Sequence, residues 1–424
     1  MSAGNKLFYG WLIVAASALG ICFGFVGTQI YAFSAFTLPL SEEFGWSRGA
    51  ISLGMTFVYA TTIVALPLVG ILIDQKGVRR PLLISTFFFG GILCLFYFLD
   101  RDIRHFYIGM VVLAVLGSGT QSISYVRLIV AWFDRRKGLA LALGISGAGL
   151  GALILPPLVS HIIKASGWRT AFLTLGIINL VAVLPVIFFA VRNRPSDLNL
   201  YPDGASEPPK DAPMRLAGGD SGYGFLEAVR TATFWKLAAA TLLLGISLNG
   251  IVSQIIPLLV DRGVPRPHAG NLAALLGLSV IVSRLIAGYL LDRFQPPLVA
   301  AGLLICPVVG LAALAGIPGE PVAAFMLVAL GVGLGLEFDA LGFFCVHYFG
   351  RVSLGRIYGT LFVLFNVGGA LGSYFAGHSY DAFSSYVALL IGAAVATLAA
   401  ALLTASLGSK SEMQRAKPRM PQVA

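Results

Sequence analysis

Long hydrophobic runs alternate with short polar connections along most of the chain. Each run is about 20 residues or longer, which is the length that an α-helix needs to cross the hydrocarbon core of a bilayer. The pattern therefore predicts twelve transmembrane helices. The predicted spans are 8–36, 48–73, 81–99, 105–132, 138–163, 168–191, 234–260, 269–291, 297–316, 321–348, 355–378 and 384–407. The first run is too long for a cleavable signal peptide, so we expect it to remain as helix 1.

One polar segment, 193–233, divides the spans six and six. It contains RPSDLNLYPDGASEPPKDAP, which is rich in Pro, Asp and Ser and is typical of an exposed linker. We predict four regions from this division. They are an N-terminal six-helix bundle (1–192), a cytoplasmic linker (193–233), a C-terminal six-helix bundle (234–408) and a cytoplasmic tail (409–424).

The composition supports a membrane protein of the all-α class. Hydrophobic residues make up 57% of the chain and charged residues 11%, whereas average soluble domains carry roughly 25% charged residues. Lipid admits only helices or closed barrels, and the period-2 alternation of a barrel is absent. The net charge of +10 does not indicate nucleic-acid binding, because Lys and Arg concentrate in alternate loops. The positive-inside rule then predicts an inner-membrane protein with both termini in the cytoplasm.

The two halves repeat each other in sequence. GILIDQKGVRR (70–80) has a degenerate copy in GYLLDRF (288–294), and residues 117–133 align with 333–349 without gaps. This second alignment pairs Gln121 with Glu337. Two six-helix halves in parallel repeat are typical of secondary transporters.

The loop between predicted helices 2 and 3 resembles the signature of the major facilitator superfamily. The signature residues are Gly70, Asp74, Gly77, Arg79 and Arg80. The resemblance implies a fold of two pseudo-symmetric six-helix bundles. It also implies that Asp74, Arg79 and Arg80 lock the halves together in one conformation, with Asp292 and Arg293 as gating candidates in the second copy. The alternative is that Gly77 makes a turn and the arginines only anchor the cytoplasmic face.

A narrower resemblance covers nearly the whole chain. The segments YGW (Tyr9–Trp11), WFDRRKGLALALGISGAGLG (Trp132–Gly151) and RNRPSDLNLYPDG (192–204) are similar to the bacterial branch of the monocarboxylate porters, close to the oxalate/formate antiporters. The resemblance implies that the helix 8 arginine, Arg284, binds the substrate anion. Animal-type porters carry a Lys in helix 1 and an Asp before the helix 8 arginine. In helix 1 this chain offers Thr28, Gln29 and Tyr31 in place of the Lys. Before Arg284 it has Val280 in place of the Asp.

Four formally charged residues lie well inside the predicted spans, and their charges sum to zero. They are Arg127, Arg284, Glu337 and Asp339. Charges inside a bilayer are costly, so we expect them to face a cavity and to pair. Arg284 and Glu337 are predicted at matching depth, which indicates an ion pair between them. Glu337 and Asp339 are about 200° apart around a helix, so we expect Glu337 as the central acid and Asp339 against a neighbouring helix.

The residue types indicate roles for these groups. A guanidinium matches a carboxylate in two parallel bonds, so Arg284 is the expected anion site, unless it only neutralises Glu337. Arg127 is expected either as an inner gate or second anion contact, or as a static partner of helix 10. His347, at the end of helix 10, is of the type that transfers protons near neutral pH, although it could equally be an ordinary interfacial residue.

Several uncharged polar residues are candidates for lining the pathway, or alternatively for interhelical hydrogen bonds. They are Tyr31, Gln121, Tyr125, Asn249, Gln254 and Asn366.

These patterns together predict a secondary transporter, not an enzyme, that moves a small organic anion by alternating access. A monocarboxylate carried by proton symport is the first choice, with Arg284 holding the carboxylate and Glu337 exchanging the proton. The alternatives are anion exchange, uptake of a larger solute such as a vitamin or aromatic acid, and a non-transporting membrane sensor. No phosphate-binding loop for ATP is present, and we expect no cofactor, metal or nucleic-acid partner and a functional monomer.

Overall fold

The computed structural model describes residues 8–204, 222–350 and 352–408, without the side chains of Asp292, Phe338 and Asp339. Eleven helices in this part of the chain are long and apolar enough to cross a membrane, and one of them makes two crossings. We label the twelve spans α1 to α12. They are Tyr9–Phe44, Arg48–Lys76, Arg79–Phe98, Ile103–Trp132, 137–166, 168–190, Ala232–Ser253, Arg266–Arg293, Pro296–Gly316, Glu320–Phe349, Leu354–Phe383 and Val387–Ala405.

The helix from Lys137 to Ala190 is 54 residues long and makes the two crossings α5 and α6. Gly167 interrupts it with φ 83° and ψ 165°, a conformation that residues with a Cβ rarely adopt. The chain reverses direction at Gly167. As a result the end of α6 lies beside the start of α1, where the Tyr9 hydroxyl donates to the Ala190 carbonyl at 2.9 Å. The prediction of twelve spans is confirmed.

Two seams join the halves, α2 against α11 and α5 against α8. Glycines permit the close approach of the backbones along these seams. A Cβ on Gly277 of α8 would lie 2.2 Å from the backbone nitrogen of Leu153 on α5, and one on Gly377 of α11 would lie 2.3 Å from Ser52 Oγ on α2. Substitution at either glycine would push the two halves apart.

The two ends of the molecule differ in how the halves are joined. We call the end that carries residues 8 and 408 the terminal end and the opposite one the distal end. Between described residues, the hydrogen bonds and ion pairs that cross between halves lie towards the distal end. They are Glu42–Arg266, Arg48–Tyr386, Gly49–Asp381, Ser52–Gln254, Thr56–Ala370 and Tyr59–Asn249. The structure therefore has its distal end closed.

The described parts of the linker are attached to both halves. The Asp203 carboxylate accepts hydrogen bonds from the backbone nitrogens of Asp134 and Arg135 at 2.9 and 2.6 Å. On the other side of the linker, the backbone nitrogen of Tyr223 donates to the Phe349 carbonyl at 2.8 Å. Residues 205–221 and the tail 409–424 lie outside the described residues, and the division into four regions stays a prediction.

Candidate functional site

Two helices of the N-terminal half are interrupted near their middles, and the interruptions touch each other. The regular part of α1 ends at Phe23, and a π-helical segment follows from Val26 to Ala32. In α4 the break falls at Gln121, which is extended with ψ 160°. The backbone nitrogen of Phe25 donates to Thr120 Oγ1 at 3.2 Å and so joins the two breaks. Broken helices at this depth are characteristic of substrate sites in transporters.

Buried polar atoms without a hydrogen-bond partner cluster at the same level. In native proteins such groups are nearly always bonded, to protein or to ordered water, so a cluster of them marks a place for water or a ligand. Among described residues they include both amide atoms of Gln29, Gln121 Nε2, Ser124 Oγ, Tyr125 Oη, Asn249 Nδ2 and both carboxylate oxygens of Glu337. The cluster draws on both halves of the molecule.

The charged residues Arg284 and Glu337 lie beside this cluster. Arg284 is 18 residues into α8 and Glu337 is 17 residues into α10, so they share a depth. The hydroxyl of Tyr31 on α1 is within electrostatic range of both. Tyr59 on α2 is within range of Glu337 and donates to Asn249 Oδ1 on α7 at 3.1 Å. A cation and an acid of the C-terminal half are therefore within electrostatic range of tyrosine hydroxyls of the N-terminal half.

The ion pair predicted between Arg284 and Glu337 is not formed in this structure. Both Glu337 oxygens are buried without a hydrogen-bond partner. The reason is the packing of α10 on α8. A Cβ added to Gly335 would lie 2.0 Å from Ser283 Oγ and 3.2 Å from the backbone nitrogen of Arg284, so position 335 faces α8. Glu337 follows two residues later and so projects about 200° away around the helix. It lines a cavity inside the C-terminal half instead.

Asp74 in the signature loop pairs within its own half. Arg127 of α4 donates to Asp74 Oδ1, and it also reaches the Gly70 carbonyl at 3.4 Å. Among the described side chains the partner of Arg127 is thus Asp74, and the alternative that pairs it with helix 10 stays a prediction, because the side chain of Asp339 is not described. Arg79 is held by Asn193, whose Oδ1 accepts from the Arg79 backbone nitrogen at 2.9 Å. Sequence reasoning missed Asn193, although it follows directly after α6.

The remaining gating and proton candidates lie apart from the centre. Arg80 is exposed on the surface, and Arg293 bonds Tyr289 on its own helix at 2.8 Å. His347 stacks on Phe343 with ring centroids 5.7 Å apart. The side chains of Asp292 and Asp339 lie outside the described residues, so their predicted roles are not tested.

Two of the pathway candidates pack inside their own halves. Tyr125 is fully buried against α1, where a Cβ on Gly20 would lie 2.2 Å from its hydroxyl. Asn366 donates from Nδ2 to the Phe362 carbonyl of its own helix at 2.9 Å. In this conformation both side chains support the central region without bonding across it.

Apart from Gln254, sequence reasoning missed a polar cluster at the distal closure, which we call the distal lock. It consists of Arg48, Ser52, Gln254, Asp381 and Tyr386. Gln254 Nε2 donates to Ser52 Oγ across the halves at 2.6 Å, and Tyr386 donates to Gln254 Oε1 at 3.0 Å. The guanidinium of Arg48 lies 3.6 Å from the centre of the Tyr380 ring. The sequence does show polar residues at these span ends, but it does not show which of them bond to each other.

The sequence matches the family model of the Major Facilitator Superfamily over residues 17–373. It is 26% identical over 407 residues to Monocarboxylate transporter 11 of Homo sapiens, covering 90% of this chain and 79% of that protein. Monocarboxylate transporter 12-B of Danio rerio is also 26% identical, over 67% of this chain and 62% of its own length. The Oxalate:formate antiporter of Oxalobacter formigenes is 26% identical, over 67% and 61%. For these last two relatives, the match therefore spans less than two thirds of the relative.

Solved structures show the same fold. A bacterial homolog to the human lysosomal transporter Spinster, in an inward-facing and occupied conformation, superposes with a TM-score of 0.70 at 15% identity, covering 97% of this chain and 98% of that one. The inward-facing and unoccupied structure of the Spinster homolog gives 0.70 at 16% identity, over 94% and 95%. With the family match over most of its length, the chain belongs to the Major Facilitator Superfamily and is a multi-pass membrane protein.

Proposed function

We propose that the chain takes up a small organic anion, a monocarboxylate, together with a proton, by alternating access of its two halves. The observation that carries this proposal is the central cluster of buried polar atoms without partners, beside Arg284 and Glu337. The likeness to transporters named for monocarboxylates and for oxalate and formate supports the substrate class.

Arg284 is the proposed anion site. Its planar fork fits the two oxygens of a carboxylate, and it is more weakly hydrated than a lysine ammonium, which suits a site of low polarity. Tyr31, within electrostatic range of Arg284 and 8% exposed, supplies a hydroxyl from the opposite half. An anion held between α1 and α8 would bind both halves, which is what alternating access requires of a central ligand.

Glu337 is the proposed proton site. It is only 6% exposed, and an ionised carboxylate there would have no hydrogen-bond donor among the described residues. Burial of an unpaired charge is expensive, so this position suits an acid that carries its proton while the distal end is closed. In the other conformation, movement of α10 relative to α8 would bring Glu337 under the influence of Arg284 and favour release of the proton.

The orientation follows from the distribution of Lys and Arg. We place the termini in the cytoplasm on this ground, so that the closed distal end would face outward and the conformation would be the inward-facing one of an inner-membrane carrier. Breaking the cross-half bonds of the distal end, including Glu42–Arg266, would open the outer side.

Anion exchange is the second candidate, because no Arg284–Glu337 pair links anion and proton in this conformation. The test uses purified protein in vesicles with a panel of labelled monocarboxylates and larger aromatic acids. Under the proposal, a pH difference alone drives accumulation of one of the monocarboxylates. Glu337→Gln abolishes that accumulation but keeps exchange of labelled for unlabelled substrate, because the amide resembles the protonated acid. Accumulation that Glu337→Gln leaves intact would reject Glu337 as the coupling acid, and exchange without any pH-driven accumulation by the wild type would establish the second candidate.

A further inference from the structure

A small cavity lies inside the C-terminal half, between Glu337 and the terminal end. Its volume is about 40 Å³, enough for two or three water molecules at roughly 10–15 Å³ each. Residues from α7, α9, α10, α11 and α12 form its wall. Most of them are apolar, and the polar ones are Glu337, Thr241 and Thr404.

The wall residues extend towards the terminal end. Glu337 is 12 residues from the last residue of α10, which is a depth of about 18 Å. Thr404 is one residue from the end of α12, and Leu237 is five residues into α7. A file of three waters spaced by about 2.8 Å would extend about 8 Å from the carboxylate, a little under half of that depth, and Thr404 marks the far end of the wall.

The polar groups of the wall are arranged for a proton donor. Thr241 donates its hydroxyl proton to the Leu237 carbonyl at 2.7 Å, and Thr404 donates to the Ala400 carbonyl at 2.8 Å. Both hydroxyl oxygens can therefore still accept a hydrogen bond from a cavity water, as can the two oxygens of Glu337, which have no partner among the described residues. Waters in the cavity would therefore donate hydrogen bonds to these oxygens, which orients them in a file along the wall.

We propose that this cavity is the route by which a proton reaches Glu337 from the terminal end, separately from the pathway of the anion. A hydronium ion at the terminal end transfers a proton to the first water of the file, and the last water transfers one to a Glu337 carboxylate oxygen. Water molecules remain and no other bond changes. This inference rests on the proposed role of Glu337 as the coupling acid, and it adds Thr241 and Thr404 as positioning residues for the water file.

Separate routes have a physical advantage for coupling. Among the described side chains, the charged and titratable groups near Glu337 outside this cavity are Arg284 on α8, with Tyr31 and Tyr59 across the halves; Asp339 of α10 lies outside the described side chains. A proton that arrived past Arg284 would meet its positive charge and the bound anion. A route through the C-terminal six-helix bundle avoids both. Glu337 can then take up a proton while the anion occupies the central region.

The test follows the proton itself in the full-length protein in lipid vesicles, with no substrate present. The infrared band of the protonated Glu337 carboxyl is assigned by its loss in Glu337→Gln, and its shift is timed after a jump into deuterium oxide. Thr241→Val removes a hydroxyl of the wall and Ala340→Leu fills the space. Each is expected to slow the shift by about tenfold, the effect of one hydrogen bond lost from the path.

The matched control is Thr86→Val, because Thr86 on α3 is also buried and also donates to the carbonyl four residues earlier, at 2.7 Å. It should leave the rate unchanged. A wild-type rate in both cavity variants, or the absence of any band that depends on Glu337, would overturn the inference. Accumulation of anion driven by pH, measured on the same vesicles, tests the proposed function separately: slowed deuterium exchange without accumulation by the wild type would keep the route and reject the symport.

Discussion

Arg127 of α4 pairs with Asp74 at the end of α2, so the acid of the signature loop is held by a partner in its own half. The pair lies towards the terminal end, whereas the described bonds between halves lie towards the distal end. Among the described residues, Asp74 thus has its charged partner in its own half while the distal end is closed. For the expected lock to form in the opposite conformation, Asp74 would have to exchange Arg127 for a group on the other half.

Asp74→Asn is expected to reduce net uptake while leaving substrate binding intact. The Asp74 and Arg127 side chains are 67% and 37% exposed, so loss of the pair should change the free energy of unfolding by less than about 1 kcal/mol. Thermal unfolding with and without substrate in detergent measures stability and binding, and uptake into vesicles measures transport. Loss of ligand stabilisation in this variant would show that Asp74 is structural and not part of a gate.

Arg284→Lys tests the anion site with the charge retained. A lysine ammonium is a point donor and does not reproduce the two parallel bonds of the guanidinium, so affinity should fall by about 1.5–3 kcal/mol, the range for charged hydrogen bonds. Expression and the unfolding temperature without substrate should stay near those of the wild type. Isothermal titration with the transported monocarboxylate provides the measurement, and wild-type affinity would contradict the assignment.

The spans could be predicted from the sequence because membrane crossing depends on length and apolarity, which are local properties. Side-chain partners could not, because they depend on which face of a helix meets which neighbour. Arg284 and Glu337 show this difference: their depths match as predicted, but the packing of Gly335 on α8 turns Glu337 away from Arg284. Depth along a helix does not specify how the helix is rotated about its axis, so depth alone does not predict which neighbour a side chain faces.

The helix breaks were equally invisible in the sequence. Neither break contains proline: Gly24 lies in an apolar run, and Gln121 lies in GSGTQSIS (117–124), whose small and polar residues do not say which of them is extended. The breaks exist because α1 and α4 interact there through Phe25 and Thr120. Tertiary contacts decide such irregularities, and these breaks surround part of the proposed site.

Asp203 predicts a pH-dependent attachment of the linker. Partial burial raises the pKa of its carboxyl, but hydrogen bonds from the backbone nitrogens of Arg135, Asp134 and Arg136 outweigh this and hold the pKa below its ordinary value. The folded state therefore gains stability from Asp203 above the unfolded pKa of about 4, and that gain is lost as the pH falls through the folded pKa.

Asp203→Asn should accordingly lower the unfolding temperature at neutral pH, and the difference from the wild type should vanish at strongly acidic pH. Thermal unfolding between neutral and acidic pH measures both. Asp197→Asn is a useful comparison, because Asp197 also accepts from a backbone nitrogen, that of Arg194 at 3.1 Å, but within the linker itself. An Asp203→Asn deficit that persisted undiminished at low pH would contradict the electrostatic explanation.

The distal lock gives the last prediction, which concerns the balance between the two conformations. Tyr386 joins the lock through one hydroxyl, which accepts from Arg48 of the opposite half at 3.3 Å and donates to Gln254 at 3.0 Å. Tyr386→Phe keeps the ring that packs against Tyr380 but removes both bonds, and it leaves Gln254 Oε1 without that donor. The closed distal end should lose about 1 kcal/mol, the net value of a typical hydrogen bond, which shifts the ratio of closed to open molecules roughly fivefold. Spin labels at Ala165 and Ala382, both exposed, on opposite halves and outside the bonds of the distal end, would report the shift as a larger population at long distance, and the labelled parent without Tyr386→Phe provides the baseline. Tyr107→Phe is the matched control, because its hydroxyl donates at 2.9 Å to the Ala50 carbonyl within one half. If both variants changed the distance distribution equally, the effect would come from general loosening of the helices and not from the lock.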